Sequence, residues 1–303
     1  MNDIIQPLSD EFEKIYFVKG MQKGKVPFSH SLLIDDHMID TGVSRKHLRA
    51  LKKQLPVNHV IFSHWHEDHV RDNQLLPDAT HSSHAIDKPI IEDARKFMEF
   101  YCALNSPMEE FMEDYLYGAL KIKNTEISTT FEDGEVIEIG EDFRLKVVHT
   151  PGHSAGHCCF LELNTKIGFL ADIDLSSFGP WYGCKDCDVI DFEESIEKLK
   201  NLNIETAVTA HNGLIEGVSE INKKLDDYKS IIFQRDDLIL ERLSEKNPTT
   251  VDDLMQKNII YHKYNDGFLE FLYVVEKTML QKHLDKFLKQ NVIEAKNGGY
   301  ILV

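Results

Sequence analysis

The stretch Phe62-Ser-His-Trp-His-Glu-Asp-His-Val70 constrains this chain more than any other, because three histidines and two acids fall within six consecutive positions. It continues the apolar run Val60-Ile61-Phe62, which reads as a buried strand ending where the polar cluster begins. Side chains two apart at a strand end share one face, so His64 and His66 can grip a single ion. Asp68 and His69 then turn the other way and can hold a second. A catalytic metal site needs neutral imidazoles and carboxylates that converge and leave a position open for water. More donors follow downstream, each at an expected strand end: a histidine in VVHTPGHSAGH, Asp172 in FLADID and His211 in TAH. Spacing alone leaves His149, His153 and His157 as alternatives in the first of these.

The rest of the chain alternates strand and helix signals, as an α/β fold does. KIYFV, SHSLLI and HMIDTG read as strands around an Asp35-Asp36 turn, and SRKHLRALKKQL reads as a helix capped by Ser44. Residues 88–123 are helical in propensity, broken at Pro107, and rich in aromatic residues, among them Phe97, Phe100, Tyr101, Phe111, Tyr115 and Tyr117. They suit the core of two amphipathic helices or the wall of a pocket. Strand signals then resume up to His211. From about residue 218 the periodicity is helical, and the chain ends in a hairpin signal around Asn297-Gly298-Gly299. Three helices closed by a hairpin outline a winged helix. The expected organisation is therefore a body over 1–217 with a helical insertion at 88–123, followed by a winged-helix-like unit over 218–303.

Asp40 in IDTG, His64, His66, Asp68 and His69 in HWHEDH, His153 in TPGHSAGH, Asp172 in FLADID and His211 in TAHNG together resemble the ordered pattern of the metallo-β-lactamase-fold superfamily. The resemblance runs over residues 12–217 and implies a four-layer αββα sandwich with the small helical unit appended. Carried over, it implies that His64, His66 and His153 hold one metal ion and that Asp68, His69 and His211 hold a second. Asp172 would bridge the two, while Asp40 would orient ligands without touching metal. Two divalent ions are expected, zinc first, with iron or manganese as alternatives. They would ionise a water between them to a nucleophilic hydroxide, with Asp68 as the carboxylate handling its proton.

Within that superfamily the complete HxHxDH and the aspartate bridge resemble the glyoxalase II-like and lactamase-beta-like branches, which implies hydrolysis of a small ester, thioester or lactone. Phe178, Trp181 and Tyr182, just after Asp172, would wall the substrate pocket. Two other readings remain. One is a phosphodiester nuclease, with Lys277, Lys282, His283, Lys286 and Lys289 forming a basic recognition helix. The other is an iron-dependent oxygenase, since persulfide dioxygenases share much of the ligand pattern. The chain carries 34 Lys/Arg against 51 Asp/Glu, a net charge of −17, which disfavours nucleic acid on average. Residues 231–303 are nearly neutral, with 10 Lys/Arg against 11 Asp/Glu.

An odd count of 5 cysteines without a secretory leader points to the cytoplasm, and no stretch is apolar enough for a membrane span. Cys184 and Cys187 form a CxxC, but no second CxxC exists to complete a zinc site. His81 and His84 read as residues of a surface loop. A homodimer is expected.

Overall fold

The structure is a computed structural model that describes residues 3–9, 13–257, 259–261 and 269–303. Two sheets face each other. The first holds β1 (Ile5–Pro7), β2 (Ile15–Val18), β3 (Ser31–Ile34), β4 (His37–Ile39), β5 (His59–Ile61), β6 (Thr80–His84) and β7 (Thr129–Phe131), in sequence order. Its strands are antiparallel up to β4 and parallel from β4 to β7. The second holds β8 (Val136–Ile139), β9 (Phe143–His149), β10 (Cys158–Glu162), β11 (Ile167–Ala171), β12 (Thr206–Thr209) and β13 (Gly213–Glu216). Here only the β11–β12 pair is parallel.

Strand alternation builds the layers. Leu32, Ile34, Ile39 and Ile61 of the first sheet meet Leu145, Val147, Phe160, Phe169 and Val208 of the second in one buried cluster. Their neighbours Leu33, Met38, Val60, Leu161, Leu170 and Ala207 point the other way, into a second cluster shared with the helices. On the outside lie α1 (Arg45–Leu51), α2 (Glu67–Val70), α3 (Lys88–Glu92), α4 (Lys96–Phe100), α5 (Glu109–Glu113), α6 (Val189–Lys200) and α7 (Val218–Leu240). Ser44 caps α1 by accepting from His47 N, and Asp188 caps α6 by accepting from Ile190 N and Asp191 N. The result is the four-layer α/β sandwich.

After α7 the described chain forms α8 (Val251–Met255), α9 (Leu269–Lys289), β14 (Ile293–Lys296) and β15 (Gly299–Leu302). A capping box between Thr250 and Asp253 starts α8. Asn297 and Gly298 both have positive φ, the backbone that a two-residue hairpin between β14 and β15 requires. No helix among the described residues is long and apolar enough to cross a membrane.

Two expectations change. The 88–123 region is not a pair of helices broken at Pro107. It is the short α3, α4 and α5, the last running on into a wide π-type segment at Asp114–Ala119. Cys102 and Asn105, both at positive φ, stop the helical path before Pro107 is reached. His81 and His84 lie in strand β6 rather than in a loop: His81 stacks on Phe62, and His84 is buried against His149.

Candidate metal centre and its pocket

The strands deliver their polar ends to one edge of the sandwich. His64 and His66 follow β5, Asp68 and His69 lie in α2, and His153 sits in the turn between β9 and β10. Because β11 and β12 run parallel, with Ala171 opposite Thr209, Asp172 and His211 emerge side by side. Two groups of donor atoms result, each within 4.8 Å of one another: His64, His66, His153 and Asp172, and Asp68, His69 and His211. Asp172 lies between them. Its Oδ2 is 3.1 Å from His153 Nε2 and 3.9 Å from His64 Nε2, while its Oδ1 is 2.9 Å from His69 Nε2 and 3.2 Å from His211 Nε2. Asp68 Oδ2 completes the second group at 3.4 Å from His211 Nε2.

Four of these atoms, His64 Nε2, Asp68 Oδ2, His69 Nε2 and Asp172 Oδ1, are buried and make no well-aligned hydrogen bond, although charged neighbours lie close. Leaving a buried polar atom unsatisfied costs about 1–3 kcal/mol, and here the four share one small volume. Divalent cations would satisfy all of them at once, so this donor set fits such ions. Burial, with the neighbouring imidazoles second, holds His64 and His66 neutral, the form a metal needs. Burial also opposes a charge on His211, yet the Asp172 carboxylate overrides it and holds that ring protonated up to about 10.

A second set of contacts fixes which nitrogen faces inward. Asp40 Oδ2 accepts from His69 Nδ1 at 2.7 Å and from Ser63 Oγ at 2.6 Å, and its Oδ1 accepts from Ser63 N at 2.8 Å. His211 Nδ1 donates to the Gly24 carbonyl at 2.6 Å, and His153 Nδ1 donates to the Trp181 carbonyl at 2.9 Å. In all three rings Nε2 is thereby left for the centre. His66 is reversed: its Nδ1 lies 2.8 Å from His153 Nε2, and its Nε2 faces Cys184 Sγ at 3.4 Å.

Of the three histidines in one turn, then, His153 is the one at the cluster. His157 instead accepts from Asp172 N through Nε2 and so steadies the bridging residue's backbone. His149 donates from Nε2 to the Ala155 carbonyl. Cys184 and Cys187 brace the ligands, Cys187 Sγ donating to the His153 carbonyl at 2.8 Å. Their neighbour Asp186 accepts from Trp65 Nε1 and Ala155 N.

Above the donors lies a cavity of about 450 Å³, within the usual size of small-molecule sites. Phe178 and Trp181 line it, as do Tyr101, Phe111 and Tyr115 of the insertion and Phe271 of α9. Tyr182 does not. It is fully buried behind the wall, its hydroxyl 2.6 Å from His283 Nε2 and accepting from Arg235 Nη1 at 2.9 Å. Arg235 also donates to the Pro180 carbonyl and the Phe178 carbonyl, both at 2.6 Å. Helix α7 thus holds the loop whose Trp181 carbonyl orients His153, a role nothing in the sequence pattern singles out. Glu67 was equally illegible: its carboxylate accepts from the hydroxyls of Tyr101 and Tyr115, tying the insertion to the donor loop.

The lysines of α9 are occupied. Lys286 is buried and pairs with Asp236 and with Glu193 at 2.5 Å, Lys289 pairs with Asp188 at 2.8 Å, and Lys277 pairs with Asp252 at 2.6 Å. Lys282 donates to the Lys185 carbonyl, and His283 is buried against Asp236.

Fold and donor set together place the chain: it belongs to the metallo-beta-lactamase superfamily, whose sequence model matches residues 31–211. It is 28% identical to a hydroxyacylglutathione hydrolase of Rhizobium etli over 162 residues, 52% of this chain and 49% of that one. The chain spans about half the length of the curated relatives it matches. Among solved structures, a beta-lactamase domain protein from Burkholderia ambifaria superposes with a TM-score of 0.72 at 14% identity, covering 99% of this chain and 93% of that one. A metallo-beta-lactamase family protein from Thermus thermophilus gives 0.66 at 16% identity, covering 99% and 97%. These two likenesses extend the shared fold through the C-terminal helices.

Proposed function

We propose that this protein is a metal-dependent hydrolase of small-molecule esters, thioesters or lactones, with residues 1–217 supplying the centre and residues 218–303 bracing its pocket. The observation that carries this reading is Asp172, whose two oxygens each face one donor group at the floor of an aromatic cavity. In it, His64, His66, His153 and Asp172 would hold one cation, and Asp68, His69, His211 and Asp172 would hold the other. When bound, the pair supplies the Lewis acidity that acidifies water and polarises the oxygen of the group under attack.

The chain's own residues do the rest. Asp40, Gly24 and Trp181 keep the protons of His69, His211 and His153 on Nδ1, so those rings cannot turn away. Asp68 reaches both the centre and the cavity, and its carboxylate is the group we assign to handling a proton during turnover. The aromatic walls exclude bulk water and leave the carbonyl as the polar part of the substrate at the floor. The relative named as a hydroxyacylglutathione hydrolase supports thioester chemistry. The burial of Lys286 against Asp236 and Glu193, with Lys277 and Lys289 each beside an aspartate, lessens support for a nuclease reading.

Elemental analysis of protein purified without added metal, with turnover of a thioester and a lactone measured alongside, tests the reading. Close to two zinc ions per chain with cleavage is expected. A fully loaded protein that cleaves no member of an ester, thioester and lactone panel overturns it, and a single iron with no hydrolysis favours oxygen chemistry.

A further inference from the structure

The polar tips of the cavity's aromatic side chains are all turned into the protein. Tyr101 and Tyr115 donate their hydroxyls to Glu67, Tyr228 donates to the Asp172 carbonyl at 3.1 Å, and Trp181 Nε1 donates to Tyr261 Oη at 3.1 Å. The two carboxylates on the lining that lie outside the donor set also have partners within the protein: Glu67 accepts from the two tyrosines and Asp174 from Ser176 N at 3.1 Å. Among the described residues, and Lys25 apart, what a ligand meets beyond the donors is therefore mainly ring faces and methylene groups. Phe111 from the insertion and Phe271 from α9 approach to 6.4 Å between centroids across the sequence gap, and Phe178 is pinned beneath the Arg235 guanidinium at 4.8 Å. Among the described residues, Lys25 is the one lysine or arginine on this lining.

Building on the hydrolase reading above, we infer that the substrate bears an apolar substituent of medium size, an alkyl chain or aryl ring, on the scissile carboxyl group, rather than a polar peptide-like one. A wall that, among the described residues, offers mostly ring faces and, Lys25 apart, no lysine or arginine gains little from a substrate's hydroxyl or amide groups, which lose their water on entry. Each buried methylene, by contrast, raises transition-state binding by about fourfold.

The test uses the full, metal-loaded chain and three probes: straight-chain acyl thioesters of N-acetylcysteamine from acetyl to decanoyl, acetyl thioesters of alkyl thiols of matching length, and S-lactoylglutathione. Expected is a kcat/KM that climbs about fourfold per methylene over the first several carbons in at least one series, and that exceeds the value for S-lactoylglutathione by at least about tenfold at its best length. The series that carries the slope shows on which side of the carbonyl the cavity lies. Phe111→Ala and Phe271→Ala should flatten that slope. Cleavage that is flat with length in both series, or fastest with S-lactoylglutathione, overturns the inference while leaving the hydrolase reading standing. No cleavage of any probe by loaded protein counts against the hydrolase reading itself.

Discussion

Arg235→Met removes a guanidinium while keeping the aliphatic stem, and it separates two consequences that the structure links. Arg235 is 4% exposed and makes three hydrogen bonds, to the Phe178 and Pro180 carbonyls and the Tyr182 hydroxyl. Bonds to a charged donor are worth about 1.5–3 kcal/mol each. Their loss is offset in part because a buried cation no longer has to be kept from water, so a net destabilisation of about 2–4 kcal/mol is expected. The second consequence is local. Trp181 lies between two of the anchored residues, and its carbonyl is the acceptor that orients His153. Loss of such an outer partner typically weakens metal binding by about 10–100-fold. Urea denaturation of chelator-treated protein reads the first effect, and competition with a chromophoric chelator reads the second. Arg235→Lys should recover part of the stability but little of the metal affinity, because one ammonium cannot span three acceptors. A variant that is destabilised as calculated yet holds both cations as tightly as the parent would refute the proposed link from α7 to His153.

Other outcomes follow from the same geometry. His66→Ala and Asp172→Ala should lose metal and turnover while retaining the far-ultraviolet circular dichroism of the parent; full metal occupancy in both would overturn the donor assignment. Asp40→Asn should weaken the second cation by about 10–100-fold, since an amide nitrogen would meet a donor where Oδ1 or Oδ2 now accepts; unchanged affinity in the chelator competition would contradict this. Lys286→Met leaves Asp236 and Glu193 facing each other without their shared cation and should cost about 3–5 kcal/mol in urea denaturation. A loss below about 1 kcal/mol would mean the pair is not as buried as described. Gly152→Ala puts a methyl group 2.4 Å from Phe192 Cα at a φ of 131°, and a loss of about 2–3 kcal/mol is expected, read as a lowered melting temperature.

Much of the site was legible because its donors are strand-end residues, and strand ends are announced by an apolar run stopping at a polar residue. HWHEDH, FLADID and TAH all have that form. Choosing among His149, His153 and His157 was different, since each ends or follows the same strand and only the fold decides which ring swings to the cluster and which serves Asp172 N or Ala155 O. The pocket was half legible. Aromatic density marked the insertion, but Tyr182 follows Trp181 directly and points the opposite way, a distinction carried by the loop's anchoring to Arg235. Lys286 of α9 was unreadable for a related reason: whether a lysine on a helix faces solvent or a buried aspartate depends on α6 and α7 packed against it. The break at Cys102 was invisible because cysteine seldom takes a positive φ, whereas Asn105, a residue type that tolerates one, was a signal beside Pro107 that the sequence did offer.

The donors are unevenly spaced along the chain, four within residues 64–69 and three arriving at 153, 172 and 211. The four belong to the first sheet's half of the sandwich and the three to the second's. A nascent chain can therefore display a histidine-rich fragment long before any complete centre exists, and an ion caught there has only half its donors. Full-strength binding would be postponed until both halves have docked, so cation affinity would act as an inspection of the finished assembly. A bound ion, contributing RT ln(1 + [L]/Kd), about 4 kcal/mol at a thousandfold excess over Kd, would then clamp the two sheets against separation at the edge that carries the donors.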